Sequence, residues 1–157
     1  MTNSSDKSAK LLLVSSSGGH LKHLTETASA WENYERVWVS FKQPDVQAAL
    51  ENERVHWAYY PTTRNIKNAI RNFFLALKVI PQEKPQAVVS AGAGVAVPFF
   101  VAAKLFRVKT MYIECYDRPT LPTMTGKVLY ILADSFNVQN EEQQKNFPDS
   151  TILHPIF

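Results

Sequence analysis

The sequence predicts an α/β protein built on a doubly wound parallel sheet. Three observations carry that expectation. Short apolar or β-branched runs alternate along the chain with amphipathic segments of helical period, so strands and helices take turns. Two of the strand ends are followed by small-residue turns, Ser15-Ser16-Ser17-Gly18-Gly19-His20 and Ser90-Ala91-Gly92-Ala93-Gly94. The segment after Gly94 is apolar on all sides, which suits a helix buried against a sheet covered on both faces.

The elements follow in order. Residues 1–10 are polar and read as a disordered tail, and residues 11–157 as one domain. Leu11 to Ser15 is the first strand, and a helix runs from about Leu21 to Trp31. Arg36 to Phe41 is β-branched and aromatic, a second strand. Pro44 opens a short helix reaching about Asn52, and Val55 to Tyr60 is a third strand. From Asn65 to Ile80, the residues Ile66, Ile70, Phe73, Leu77 and Ile80 recur at three- and four-residue spacing, while Lys67, Asn68, Arg71 and Lys78 take another face. Ala87 to Ser90 and Lys109 to Ile113 are strands flanking the apolar helix that ends near Phe106. A helix over Leu121 to Ala133, a strand over Ser135 to Val138 and a short strand over Thr151 to Leu153 complete the chain.

Composition narrows the function classes. With 157 residues, 45% hydrophobic and 20% charged, the chain has the length and apolar content for a packed core, which excludes a disordered protein. A net charge of +3 is compatible with an anionic surface or a phosphorylated ligand and too weak to indicate nucleic acid. The lone Cys115 excludes an internal disulfide and a cysteine-rich zinc site, and favours a reducing compartment. The longest apolar stretch, Val95 to Phe106, is interrupted by Pro98 and Lys104 and falls short of the roughly 20 residues that cross a bilayer.

In a doubly wound sheet, ligands bind at the carboxyl ends of the strands. The Ser17-Gly18-Gly19-His20 turn offers free N–H groups to phosphate, or is simply a capped turn. It lacks the Gly-x-Gly-x-x-Gly spacing of dinucleotide sites and the Gly-Lys-Ser/Thr of a P-loop, so no cofactor is expected. His20, at a helix start, can serve as donor or base, or pack the turn. His20 and His23 have the spacing of a metal pair but no third ligand, so no metal is expected; His23, Glu26, His56 and His154 are read as structural. Gly92 and Gly94 either admit a ligand across the strand ends or permit close packing. Glu114 can accept a hydroxyl proton or a sugar hydrogen bond; Arg118 can meet a phosphate or form an ion pair with Glu114 or Asp117. Cys115 is expected to be buried or half-buried, and Thr125 to cap a helix. Lys67, Arg71 and Lys78, with Phe73 and Phe74, form either a membrane-facing surface or the solvated side of a packed helix.

The motifs gain weight in sequence order. Ser-Ser-Gly-Gly-His, Ala-Gly-Ala-Gly-Val-Ala-Val-Pro-Phe-Phe, Ile-Glu-Cys-Tyr-Asp-Arg, Leu-Pro-Thr-Met-Thr-Gly-Lys-Val-Leu-Tyr-Ile-Leu-Ala-Asp and Phe-Asn-Val-Gln succeed one another between Leu11 and Phe157. This order resembles the acceptor-side, membrane-associated subunit of bipartite glycosyltransferases. That family includes the anchor subunit of the asparagine-linked glycosylation N-acetylglucosaminyltransferase and its capsule and exopolysaccharide relatives. A fainter similarity reaches the N-terminal domain of the glycosyltransferase that makes lipid II. Two departures stand out: Cys115 follows Glu114 where serine is common, and Asn140 follows Gln139 where tryptophan is usual. The hydrophobic anchor helix of eukaryotic members is absent ahead of Leu11.

The resemblance implies a Rossmann-like domain equivalent to the N-terminal half of a GT-B glycosyltransferase. It implies a heterodimer with a donor-binding subunit that brings the nucleotide sugar, a lipid-pyrophosphate-linked sugar acceptor, and peripheral attachment to the cytoplasmic face of a membrane. The chain alone is expected to be inactive. His20 and Glu114 would be candidate bases; Ser17, Gly18, Gly19, Gly92, Gly94 and Arg118 would face acceptor and phosphate, with Glu114 and Arg118 at the cleft mouth. The competing expectations are a non-catalytic membrane adaptor that activates its partner, and a free-standing small-molecule-binding module.

Overall fold

The computed structural model describes residues 9–115 and 120–153. Its elements are β1 (Lys10–Val14), α1 (Gly19–Glu26), α2 (Ala28–Trp31), β2 (Glu35–Phe41), α3 (Pro44–Ala49), β3 (Arg54–Ala58) and α4 (Ile66–Glu83). They continue with β4 (Ala87–Ser90), α5 (Ala96–Leu105), β5 (Lys109–Ile113), α6 (Met124–Leu132), β6 (Ser135–Val138), α7 (Glu141–Asn146) and β7 (Thr151–Ile152). The strands form one sheet in the order β3-β2-β1-β4-β5-β6-β7, and every pairing between neighbours is parallel. The order reverses between β1 and β4, whose carboxyl ends open the crevice where such sheets bind ligands.

Two apolar layers hold the sheet. On one face Leu12, Val14, Val37 and Val88 pack against Ala76, Val79 and Ile80 of α4 and Phe99 and Phe100 of α5. On the other, Leu13, Trp38 and Val89 pack against Leu21 and Leu24 of α1 and Trp31 of α2. α5 is buried at Ala96, Pro98, Phe99, Phe100, Ala102 and Ala103, as its uniformly apolar sequence predicts.

Several expectations shift. Ala9 already accepts from Glu35 N, and Lys10 opens β1, so the tail read over 1–10 ends earlier; residues 1–8 lie outside the described region. The helix over Leu21–Trp31 is two helices broken at Thr27, whose hydroxyl donates to the His23 and Leu24 carbonyls. α4 runs past Ile80 to Glu83, because the buried Glu83 carboxylate is tied to Arg54 at 2.8 Å and to His56 at 2.7 Å. α6 starts at Met124 and its cap is Thr123, not Thr125: the Thr123 hydroxyl accepts from Gly126 N at 2.8 Å. The six-residue α7 has no counterpart in the sequence reading, since its polar run carries no helical period.

The largest correction concerns α4. Its inward side is Asn68, Asn72, Ala76, Val79, Ile80 and Glu83, while Ile66, Ile70 and Phe74 are exposed. The stripe read from spacing therefore does not lie on one buried side. Phe73 packs against the core, so of the two phenylalanines only Phe74 faces outward, beside exposed Lys67, Arg71 and Lys78.

Candidate functional site

A cavity of about 590 Å³ lies over the carboxyl ends of the strands, lined by Ser16, Ser17 and His20 from the first turn and by Ala93 and Gly94 from the second. Cys115 and residues 122–125 close one side, and Phe41, Gln43 and residues 60–63 the other. Among the described lining residues none is Lys, Arg, Asp or Glu.

His20 joins the two small-residue turns. Its Nδ1 lies 3.1 Å from the Ala91 carbonyl oxygen, an acceptor only, so the neutral ring carries its proton on Nδ1 and keeps a lone pair on Nε2. The tautomer is thereby set by the second turn. Gly92 makes this possible: its φ is +127°, and a Cβ there would meet His20 Nδ1 and lie 2.6 Å from Cε1. Gly92 is therefore buried behind the imidazole and does not line the cavity, whereas Gly94 does. A Cβ on Gly94 would come within 3.3 Å of the Thr62 carbonyl, so the bare backbone lets the β3–α4 connection close against the second turn.

Ser17 lines the cavity, and Gly18 and Gly19 are exposed beside it at the start of α1. Gly18, at φ +71°, is the N-cap, and no side chain caps the helix. The positive end of α1 is thus open toward the solvent side of the turn.

Glu114 sits elsewhere than the cleft mouth. It is 0% exposed, and its Oε1 accepts from Cys115 N at 2.9 Å, Thr123 Oγ1 at 3.0 Å and Tyr112 Oη at 3.3 Å. The first turn of α6 lies directly on it, for a Cβ on Gly126 would strike Glu114 Oε2. In this arrangement the carboxylate does not line the cavity; it anchors Thr123 and hence the residue 122–125 wall. Burial and the adjacent Glu114 charge push the Tyr112 phenol far above its ordinary value, leaving its proton available to donate. Arg118 and His154 lie outside the described residues.

Cys115 is buried, its Sγ 3.7 Å from His20 Nδ1. Gln143 Nε2 donates to the Cys115 carbonyl at 2.7 Å, and Gln143 Oε1 accepts from Gln139 N at 2.8 Å. Gln139 lies 3.3 Å from His23 Nε2, so His23 joins α1 to the end of β6. Sequence reasoning missed this amide belt and the residue 60–63 wall, although Gln139 belongs to the Phe-Asn-Val-Gln motif. Among the described residues no group of three His, Cys, Asp or Glu is placed to hold a metal ion.

The family description "Oligosaccharide biosynthesis protein Alg14 like" matches residues 11–156. The chain belongs to that family. Within it, the human UDP-N-acetylglucosamine transferase subunit ALG14 is 25% identical over 181 residues, covering 96% of this chain and 84% of its own length. A Synechocystis UDP-N-acetylglucosamine--N-acetylmuramyl-(pentapeptide) pyrophosphoryl-undecaprenol N-acetylglucosamine transferase is 30% identical over 119 residues, 66% of this chain and 32% of that enzyme. Among solved structures, Acinetobacter baumannii MurG superposes with a TM-score of 0.67 at 17% identity, over 85% of this chain and 42% of that one. UDP-GlcNAc 2-epimerase from Neisseria meningitidis, bound to UDP-GlcNAc, gives 0.70 at 12% identity, over 92% and 45%. The Alg14-like chain thus has the Rossmann-like fold of the N-terminal half of a GT-B glycosyltransferase and spans less than half of those two structures.

Proposed function

We propose that this chain is the acceptor-side subunit of a two-chain glycosyltransferase that elongates a lipid-pyrophosphate-linked sugar. The observation that carries the reading is the seating of His20: a base whose tautomer is set by Ala91, at the edge of a cavity beside an uncapped helix start. The named activities of the human and Synechocystis relatives support the transferase class.

In this reading the acceptor pyrophosphate lies against Ser17, Gly18 and Gly19 at the start of α1. An acceptor hydroxyl attacks the anomeric carbon of the donor sugar, its proton passes to His20 Nε2, and the nucleoside diphosphate leaves with the bonding electrons. The nucleotide sugar arrives on a partner chain facing the cavity, and this chain alone does not turn over. Glu114 acts through Thr123 rather than on the substrate.

Attachment to an anionic bilayer on the cytoplasmic side completes the proposal. No helix among the described residues is long and apolar enough to cross a membrane. Yet Ile66 (78% exposed), Ile70 and Phe74 on α4 lie beside Lys67, Arg71 and Lys78, the pairing that suits a lipid surface. The neighbouring helices add exposed Leu105 and Phe106 at the end of α5 and Met124, Val128 and Ile131 on α6. That apolar expanse is also what favours a pure membrane adaptor.

One experiment separates the two. The chain is co-expressed with its partner in membranes, and transfer of label from nucleotide sugars into lipid is followed. His20→Ala is expected to cut turnover by about 10²–10⁴-fold while partner co-purification persists. Unchanged turnover would reduce the chain to an adaptor.

A further inference from the structure

The wall at residues 59–63 contains an aromatic face and polar groups with no role in holding the fold. Tyr60 is half exposed, lines the cavity, and rests on buried Phe41 with ring centroids 5.2 Å apart. Gln43, Thr62 and Thr63 line the same side, and among the described residues their side chains make no hydrogen bond within the protein.

The wall is held from behind with unusual completeness. Asn72, fully buried on the inner side of α4, accepts from Tyr59 N at 2.8 Å and donates to Tyr59 O at 2.9 Å. Asn68 Nδ2 donates to Pro61 O at 2.9 Å, and Asn65 caps the helix by accepting from Asn68 N. Two buried amides on a helix are costly unless bonded, and here both are used to fix one short loop. From the other side the second turn approaches so closely that a side chain at Gly94 would press on Thr62.

We infer that this wall is a subsite for an uncharged pyranose ring, the acceptor sugar, with Tyr60 stacking on its face and Gln43, Thr62 and Thr63 bonding its hydroxyls. The inference rests on the acceptor-side reading above and adds the ligand class and the residues that select it. A flat apolar face beside neutral donors and acceptors matches a sugar, which has C–H groups on one face and hydroxyls at its edge. The wall itself, Gln43 and residues 59–63, holds no charged side chain to pair with a sugar acid. Asn68 and Asn72 are positioning residues: they touch no ligand but hold Tyr60 and Thr62 at their stations.

The test is a binding titration of the full chain with four soluble short-prenyl diphosphates: one bare, one carrying N-acetylglucosamine, one carrying glucose and one carrying glucuronic acid. The neutral sugar is expected to tighten binding about tenfold over the bare diphosphate, and the sugar acid to add nothing. Tyr60→Ala should abolish the gain from the sugar and leave the bare diphosphate unchanged, while Tyr60→Phe retains the gain. Asn68→Ala, which removes the tie to Pro61 and a long 3.5 Å bond from Arg71, should reduce the gain with no change in thermal melting comparable to a core substitution. If the bare diphosphate binds and neither neutral sugar adds affinity, or Tyr60→Ala weakens all probes alike, the subsite is overturned while the acceptor-side reading stands. If no probe binds, both fall.

Discussion

A methyl group at position 92 would collide with the imidazole of His20. Gly92→Ala is accordingly expected to displace the ring from Ala91 and to strain a φ of +127°, at a cost of about 1–3 kcal/mol. Turnover should fall more than stability does, a difference seen by comparing thermal melts with the transfer assay. Glu114→Gln puts an amide where a carboxylate now accepts three donors, which should destabilise by about 1–3 kcal/mol through loss of the Thr123 anchor. Restoring turnover to that variant by lowering temperature alone would confirm a structural role; a loss independent of temperature would return Glu114 to the chemistry. The two glycine turns at the ends of β1 and β4 are legible in the sequence, but whether a glycine there admits a ligand or permits close packing, as Gly92 does against His20, is not. Nor is the burial of Glu114, since a carboxylate at a strand end looks the same whether a helix lies over it or not.

The behaviour of α4 belongs to the element. Its sequence shows a helical period plainly, but two sides of mixed character compete for the interior. Asn68 and Asn72 enter because the β3–α4 connection supplies backbone partners, and Ile66, Ile70 and Phe74 are left outside. Spacing reports the period and not those partners, which come from a loop without any pattern of its own. Two outcomes follow from the observed orientation. Replacing Ile66, Ile70 and Phe74 together by serine should abolish co-sedimentation with vesicles containing anionic lipid and leave the melting temperature within a degree or two, because no core contact is lost. Asn72→Ala should instead lower stability by about 1–3 kcal/mol, since it strands both polar groups of Tyr59. Strands fared better: β4, β5 and β6 coincide with the sequence reading residue for residue, as buried parallel strands are bounded by sharp changes in polarity.

At the scale of the whole molecule, the ion pairs within the sheet gather at the amino ends of the strands. Lys10, Arg54 and His56 surround Glu83, Arg36 meets Glu53, and Lys104 meets Asp134. For Glu83, burial raises the carboxyl pKa, but hydrogen bonds from His56 and Arg54 and their charges outweigh it and hold the group below its ordinary 4.5. For Asp134, the hydrogen bond from Lys104, joined by those from Thr110, prevails over burial and lowers it likewise. A depressed carboxyl contributes stability that is complete above its unfolded value and is lost as pH falls through the folded one. Stability should therefore decline below about pH 4.5, and Glu83→Gln should flatten that decline in denaturant titrations run across the acid range.

Because every strand runs the same way, the charged network and the cavity occupy opposite poles of the sheet. The end that carries the ion pairs is not the end that carries the cavity, whose described lining residues include no charged side chain. Such a division leaves the loops around the cavity free to diverge. Gln43, Thr62, Thr63 and Thr125, which line the cavity, could be exchanged while the opposite pole keeps the sheet intact, a separation of robustness from innovation within a single small domain.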